Sequence, residues 1–429
     1  MNIILNPIGS SGDILPFIRL GMALKARGHA VTVITNRLYE PLARHAELAF
    51  VEWISPEAMQ AVADDQDLWH PTRGFLLAFR TVAPWHRQLV ERIEARHVPG
   101  QTVVVAGSYA LGARIAHDRI GVPLATLLLQ PAFLRSAHRS PVLPGLPTPD
   151  WAPRAWKRLV YFLRDALVFD PVAAPAVNAL RAEAGLPAVR GVLGSWWHSP
   201  QRVIGLFPAW FGQPQPDWPA QLRLTGFPLY DGLGQEPVPA GLEEFLQEGE
   251  RPVVFTPGTM MRHPRQFFAE AVDACGRLGR RGLLLTRFRD QLPARLPPGV
   301  CHFDYIPLSQ VLPRSAALVS HGGIGTLSQA LAAGIPQLVM PLGFDQFDNA
   351  ARLERLGVAA TLIPRRFRGP AVAHEVARLL TSPAVARACQ AVAARLHKDE
   401  WEDATCQAVE ELAGEGRVAP IPRQLARAV

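Results

Sequence analysis

A histidine, three glycines and a threonine, His321-Gly322-Gly323-Ile324-Gly325-Thr326, stand where a short apolar strand (Ala316 to Val319) gives way to an amphipathic helix ending at Gly334. Such a turn is suited to an anion. Glycines let the backbone approach a ligand closely, and a helix N-terminus aims free N–H groups and a partial positive charge outward. His321 adds an imidazole donor. The spacing is neither the Gly-x-Gly-x-x-Gly of dinucleotide sites nor a P-loop with its Lys-Ser/Thr. A second apolar strand, Gln337 to Met340, empties into Gly343-Phe344-Asp345-Gln346-Phe347-Asp348-Asn349. Carboxylates and amides gathered there can hold a polyhydroxylated ligand. A diphosphate beside a polyol is the chemistry of a nucleotide sugar.

Two further loops belong with these residues. Gly9-Ser10-Ser11-Gly12-Asp13 follows an apolar strand, Asn2 to Asn6, and precedes a helix expected over about Ile14 to Arg27; Ala30 to Ile34 is the next strand. Asp13 at the N-cap of that helix is either a capping carboxylate or a general base above the carboxyl end of the first strand, where open α/β sheets bind ligands. In the second half, Pro252 to Phe255 reads as a strand and runs into Thr256-Pro257-Gly258-Thr259-Met260, a loop able to converge with Gly322-Gly323 on one diphosphate.

The remaining pattern supplies the scaffold. Thr102–Ala106, Leu124–Leu129, Arg202–Leu206 and Leu222–Gly226 read as strands of the first half; Gly282–Thr286 and Val300–Tyr305 as strands of the second. A helix is expected from Ala110 to Ile120, stopped by Gly121, and further helices over Arg265–Leu278, Val372–Leu380, Ala384–Leu396 and Trp401–Ala413. Ala155 to Phe169 places Trp156, Leu159, Val160, Leu163 and Leu167 on one helical face. A core-facing helix is the favoured reading; a helix on a membrane surface, or guarding a lipid-binding cleft, is the alternative. Ser195-Trp196-Trp197-His198 is either core packing or the wall of an apolar pocket.

The 429 residues exceed one ordinary core, so two domains are expected: 1–227, a linker 228–249 rich in Pro, Gly and acids, and 250–396, with a final helix and tail, 397–429, packing back on the first domain. Apolar residues at 48% and charged ones at 19% argue against disorder. Of 44 basic residues only Lys25, Lys157 and Lys398 are lysine. The charge of +7 is scattered, which disfavours nucleic acid and suits anionic substrates or an anionic membrane. Four cysteines, far apart and without a CxxC pair, read as reduced thiols in a cytoplasmic protein. The N-terminus lacks the features of a signal peptide, and no stretch is long enough to span a bilayer.

Taken together, Gly9-Ser10-Ser11-Gly12-Asp13-Ile14-Leu15-Pro16, Arg27-Gly28-His29-Ala30-Val31, His321 to Thr326 and Asp345-Gln346 resemble the metal-independent, inverting nucleotide-sugar glycosyltransferases of the GT-B fold. His198-Ser199-Pro200-Gln201, Leu206 to Phe211, Asp217-Trp218-Pro219 and Thr225 to Leu229 are, within that family, most like the rhamnosyltransferases of bacterial rhamnolipid synthesis. The resemblance covers nearly the whole chain. It implies an α/β fold of two Rossmann-like domains whose parallel sheets face each other across a cleft. It places the general base on Asp13, with Ser11, Gly12, Trp196 and Trp197 on the acceptor side. It assigns the donor to Gly258, Thr259, Tyr305 (stacking on the base), the backbone of Ile306, His321, Gly322, Gly323, Gly325, Thr326, Gln329 and the sugar-binding pair Asp345 and Gln346. No histidine stands near Asp13, so a His–Asp dyad is not implied. Plant relatives carry Glu at the position of Gln329, where it binds ribose hydroxyls; its absence is compatible with a deoxyribose donor such as dTDP-L-rhamnose. No cofactor and no metal are implied. The implied acceptor is a hydrophobic hydroxylated molecule, first a 3-(3-hydroxyalkanoyloxy)alkanoic acid giving mono-rhamnolipid. A peripheral inner-membrane surface or an acyl-lipid synthase are the candidate partners. The alternatives are a UDP-glucose-dependent glucosyltransferase of a sterol, carotenoid or polyketide, a nucleotide-sugar epimerase, and a non-catalytic partner subunit.

Overall fold

The computed structural model describes residues 1–232, 239–259, 265–396 and 400–414. Met260, part of the expected linker, residues 397–399 and the tail beyond Gly414 lie outside them.

Short apolar runs between amphipathic helices can form only parallel strands covered on both faces. Seven do so in the first half: β1 (Asn2–Asn6), β2 (Ala30–Thr35), β3 (Ala49–Glu52), β4 (Thr102–Gly107), β5 (Leu124–Leu128), β6 (Arg202–Gly205) and β7 (Leu222–Leu224). They lie in the order β3-β2-β1-β4-β5-β6-β7, every neighbouring pair parallel. Six form the second sheet: β8 (Val253–Thr256), β9 (Gly282–Leu285), β10 (Val300–Phe303), β11 (Ala317–Ser320), β12 (Gln337–Val339) and β13 (Ala359–Thr361). Their order is β10-β9-β8-β11-β12-β13, again all parallel. Each sheet is the doubly wound arrangement expected from the sequence. Its strand order reverses between β1 and β4 in one and between β8 and β11 in the other. Loops leaving the carboxyl ends at such a reversal diverge and open a crevice. Ser10–Asp13 follows β1, Gly258 follows β8 and His321 follows β11. Thr256 is in register with Ser320, so the last two loops leave the sheet at one level.

By their contacts the residues form two units. One comprises Met1–Gly9, Pro16–Pro228 and the chain from Glu400; the other comprises Ser10–Leu15 and Leu229–Asp399. The stretch after Pro228 is structured in part: Leu242–Gln247 is a helix, and its Leu242 and Phe245 are buried in the second unit's core beside Ile306 and Leu318.

Helix α1 (Ser11–Ala26) starts three residues before the position expected. Between β2 and β4 the structure adds β3 and four helices, Glu40–His45, Pro56–Asp64, Gly74–Val82 and His86–Glu94, to which the sequence pattern gave no assignment. Helix α2 (Arg154–Arg164) passes through one π turn, Asp165–Phe169, into α3 (Asp170–Glu183). The core-facing reading of this stretch is overturned. Trp156, Leu159, Phe162, Leu163 and Leu167 are exposed, while Lys157 is buried. The second unit contributes α4 (Ile324–Ala332) and α5 (Gln346–Arg355).

The last described helix, α6 (Trp401–Gly414), packs on β4, β5 and β6. Thr405, Cys406, Val409 and Leu412 are fully buried there. The Thr405 hydroxyl donates to Thr225 Oγ1 at 2.8 Å, and Glu410 accepts from Arg27 at 2.8 Å. All four cysteines are free thiols. Replacing Leu412 with Ala removes a fully buried side chain and should cost the first unit about 2–5 kcal/mol. Calorimetry with limited proteolysis checks this; an unchanged transition would mean that α6 is not part of that core.

Candidate active site

Helix α1 opens with Ser10 held by the Asp13 carboxylate. Ser10 occupies the N-cap, its carbonyl accepting from the amides of Asp13 (2.9 Å) and Ile14 (3.1 Å). Asp13 lies in the first turn, and its Oδ2 accepts from the Ser10 backbone N–H at 2.8 Å and from the Ser10 hydroxyl at 3.0 Å. The N-cap expected at Asp13 is therefore supplied by Ser10, and Asp13 is the acidic member of a capping box. Burial pushes the Asp13 carboxyl above its ordinary value, opposed by the two Ser10 hydrogen bonds. The result is a fixed carboxylate with raised basicity and one oxygen outside the cap.

The glycine turn after β11 is shaped by one ring. His321 is buried, and the space it fills is open because its neighbours lack side chains. A Cβ on Gly258 would stand 2.7 Å from the ring, and one on Gly323 only 2.5 Å. Gly258 (φ +99°) and Gly322 (φ +87°) also adopt left-handed backbone, and a Cβ on Gly322 would meet Val339 at 2.6 Å. The Gly258 and Gly322-Gly323 loops are thus held against one imidazole. Burial lowers its pKa to about 4, so the ring is neutral near pH 7. Its Nδ1 is buried without a hydrogen-bond partner among the described residues. Gly323 caps α4 with extended backbone and no side-chain hydrogen bond, leaving the first-turn N–H groups of the helix available. A buried nitrogen without a partner beside an uncapped helix N-terminus fits an anion. Thr326 lies in that first turn, half-buried; Gly325 faces open space, and Thr259 is exposed.

The Asp345 loop is tied to this turn. Asn349 Nδ2 donates to Asp345 Oδ2 (2.6 Å) and to the Gly322 carbonyl (2.9 Å). Gln346 Oε1 accepts the amides of Leu342 (2.8 Å) and Gly343 (3.2 Å), which fixes the loop. Asp345 stands at the N-cap of α5 but makes no side-chain cap to it. Phe344 just before it has φ 53°, a conformation costly for an aromatic residue and concentrated at functional sites. The Asp345 carboxyl is pushed up to about 7, first by burial and further by the charge of Asp13; the Asn349 hydrogen bond opposes this. The charge of Asp13 is thus felt at Asp345.

Gln329 is buried one turn beyond Thr326 on α4. Tyr305 is locked by its hydroxyl donating to the Asp231 carbonyl (2.6 Å), with the Arg287 guanidinium 5.0 Å over its ring. Asp231 also accepts from the Ser309 amide at 2.7 Å. The side chain of Ile306 is core, leaving its backbone for any contact. In the first unit Trp196 and Trp197 are buried: the indole N–H of Trp196 donates to Asp118 (3.1 Å), that of Trp197 to His198 (2.8 Å). Half-buried Phe75, Tyr109 and Phe133 surround Trp197 and Phe79. Ser11 is half-buried and Gly12 exposed beside Asp13. Ser10 and Asn349 were missed as positioning residues; the Ser-x-x-Asp spacing and the i, i+4 relation to Asp345 are the signals that carry them. Nothing in the spacing of Asp231 or Arg287 marks them.

The His321 ring should titrate at about 4 in the ligand-free protein, measured from its imidazole carbon resonances. A midpoint near the ~6.5 of a free imidazole would contradict the burial described.

Comparison with known proteins bears on this geometry. Residues 3–138 match the glycosyltransferase family 28 N-terminal domain, and residues 283–412 match the C-terminal domain of erythromycin biosynthesis protein CIII-like proteins. The O-mycaminosyltylonolide 6-deoxyallosyltransferase of Streptomyces fradiae is 29% identical, over 98% of this chain and 100% of that protein. Among solved structures, the glycotransferase of kitacinnamycin superposes with a TM-score of 0.73 at 20% identity, covering 96% of this chain and 99% of that one. A spinosyn rhamnosyltransferase complexed with thymidine diphosphate gives 0.68 at 19%, covering 96% and 100%. Residues near each end of the chain thus match a known domain, and both doubly wound sheets find their counterparts. The chain is a glycosyltransferase of the GT-B fold, similar to family 28 in its N-terminal part and to erythromycin-CIII-like proteins in its C-terminal part.

Proposed function

We propose that this glycosyltransferase moves a deoxyhexose, with L-rhamnose the first candidate, from thymidine diphosphate to a hydroxyl of an apolar acceptor, inverting the anomeric centre without a metal. The observation that carries this reading is geometric: Ser10 fixes the Asp13 carboxylate, and Asn349 ties Asp345 to the glycine turn. Asp13 takes the proton of the acceptor hydroxyl. The oxygen attacks the anomeric carbon from the face opposite the diphosphate, and the bond from that carbon to the diphosphate oxygen breaks with its electron pair. An alcohol is a poor nucleophile at neutral pH, which is why a base is needed. The leaving charge falls to the N–H groups of Gly323, Gly325 and Thr326, the Thr326 hydroxyl, the Gly258-Thr259 loop and the neutral His321. Asp345 and Gln346 hold sugar hydroxyls, and the Tyr305-Ile306 segment holds the base.

The neutral amide of Gln329, in place of a carboxylate, favours a deoxyribose donor, and a fold neighbour bound to thymidine diphosphate supports the same choice. The half-buried aromatic cluster of Phe75, Tyr109 and Phe133 suits an apolar acceptor. A 3-(3-hydroxyalkanoyloxy)alkanoate is the first candidate, used by a cytoplasmic enzyme at the inner membrane. A polyketide macrolide is the second reading, favoured by the Streptomyces relative whose name carries a tylonolide.

Asp13→Asn should lower turnover by about 10²–10⁴-fold while nucleotide affinity stays near wild type. Asp13→Asn removes the like charge that helps raise Asp345, so the Asp345 carboxyl should titrate below the about 7 it has beside Asp13, read from its carboxyl carbon resonance; an unmoved midpoint would dissociate the two carboxylates. Donor choice is read by mass spectrometry after crossing dTDP-L-rhamnose and UDP-glucose with the alkanoate, a macrolide aglycone and a sterol. Acceptor plus one deoxyhexose is expected, and a hexose product would discard the proposed donor.

A further inference from the structure

Helix α2 is built inside out. Lys157, Tyr161 and Arg164 face the protein. Lys157 is fully buried, with Nζ donating to the carbonyls of His138 (3.1 Å) and Asp150 (3.3 Å). The Tyr161 hydroxyl donates to the Ser136 carbonyl at 3.3 Å, and the Arg164 guanidinium stacks 5.1 Å over Phe169. The opposite face is apolar and open. Trp156, Leu159, Phe162 and Leu163 recur at helical spacing, Leu167 and Val168 continue the face along the π turn, and Trp151 stands before it. Trp151 is 85%, Phe162 67% and Leu167 71% exposed. Single exposed apolar residues need no explanation, but seven along one short stretch form a patch of the kind that marks an interaction surface.

We infer that this face docks on an anionic lipid surface, with α2 lying in the headgroup region. Charge selects this occupant. Between Arg154 and Arg164 there are four cations and no acid; Arg154 and Arg158 are exposed at the flank of the apolar face. The next acid, Asp165, is held by Arg135 at 2.6 Å. Tryptophans at the edge and arginines at the flank of a Leu/Phe face are the composition of an interfacial helix. A second copy of the chain packed about a two-fold axis would set these basic helices against each other, with no carboxylate from either to offset the repulsion. Among the described residues no helix is long and apolar enough to cross a membrane, so the contact lies in the surface. The face also leads inward: Phe169, which ends the π turn, meets Phe75 of the aromatic cluster edge-on, 5.4 Å between centroids. The inference does not depend on the proposed donor or acceptor.

The test is co-sedimentation of the full chain with vesicles of phosphatidylcholine containing phosphatidylglycerol, against pure phosphatidylcholine. Binding to the anionic vesicles is expected, at least tenfold weaker to the neutral ones. Phe162→Asp with Leu167→Asp should reduce it at least tenfold, and so should Arg154→Glu with Arg158→Glu, which leaves the apolar face intact. These are exposed positions, so circular dichroism and melting should match wild type. Equal binding of the charge variant, or no sedimentation with either vesicle, overturns the proposal. A stable dimer by light scattering that Phe162→Asp converts to monomer also overturns it and gives the face to a second copy.

Discussion

The candidate donor site depends on enclosing one imidazole in backbone. His321 fills a space that exists because Gly258 and Gly323 have no Cβ, and any side chain at either position would meet the ring at less than van der Waals distance. The ring is therefore the spacer that fixes the separation of two loops arising from adjacent strands of equal height. Loops so held present amides whose directions are set before any anion arrives, and preorganised donors act more strongly than donors that must be collected from solvent. Burial keeps the ring uncharged in the empty protein. The uncapped start of α4 then carries the attraction for an anion, with His321 as a shaped neutral neighbour.

The same economy appears at Asp13. A carboxylate in the first turn of a helix is usually read as a cap, and here it is one. Ser10 saturates one oxygen with two donors and leaves the group oriented. Capping and base catalysis are compatible, because a capping box fixes the rotamer that a base must also hold. What distinguishes Asp13 from an ordinary cap is its raised proton affinity and its electrostatic contact with Asp345. The left-handed Phe344 beside Asp345 is the strained element of this arrangement, stabilised by the Gln346 and Asn349 hydrogen bonds that brace its loop.

Much of this was legible before any coordinates. Apolar runs such as Val103–Val105 and Val253–Phe255 are too short for helices and too apolar for a half-exposed sheet, so parallel strands were the consistent reading. The glycine turn announced itself because three glycines at a strand–helix junction have few other uses. Three features were not legible. The short helices between β2 and β4 carry too few turns to show a period. The start of α1 moved because Ser10 was as good a cap as Asp13, and propensity alone does not choose between them. The orientation of α2 failed for a deeper reason: an amphipathic pattern says that a helix has two faces, not which one meets the protein. Lys157 decided that, through two carbonyl acceptors, His138 and Asp150, contributed by an irregular loop with no periodicity to read.

The placement of α6 has a consequence for how the molecule is made. Its buried residues complete the packing on β4, β5 and β6, yet they lie at the opposite end of the chain from those strands. During synthesis the strands of the first sheet leave the ribosome long before the helix that covers them, with the whole of the second unit translated in between. Through that interval one flank of the first core stays open to water, and domains that must wait in this way are the ones most exposed to aggregation. That flank closes only once α6 is made and Thr405 reaches Thr225.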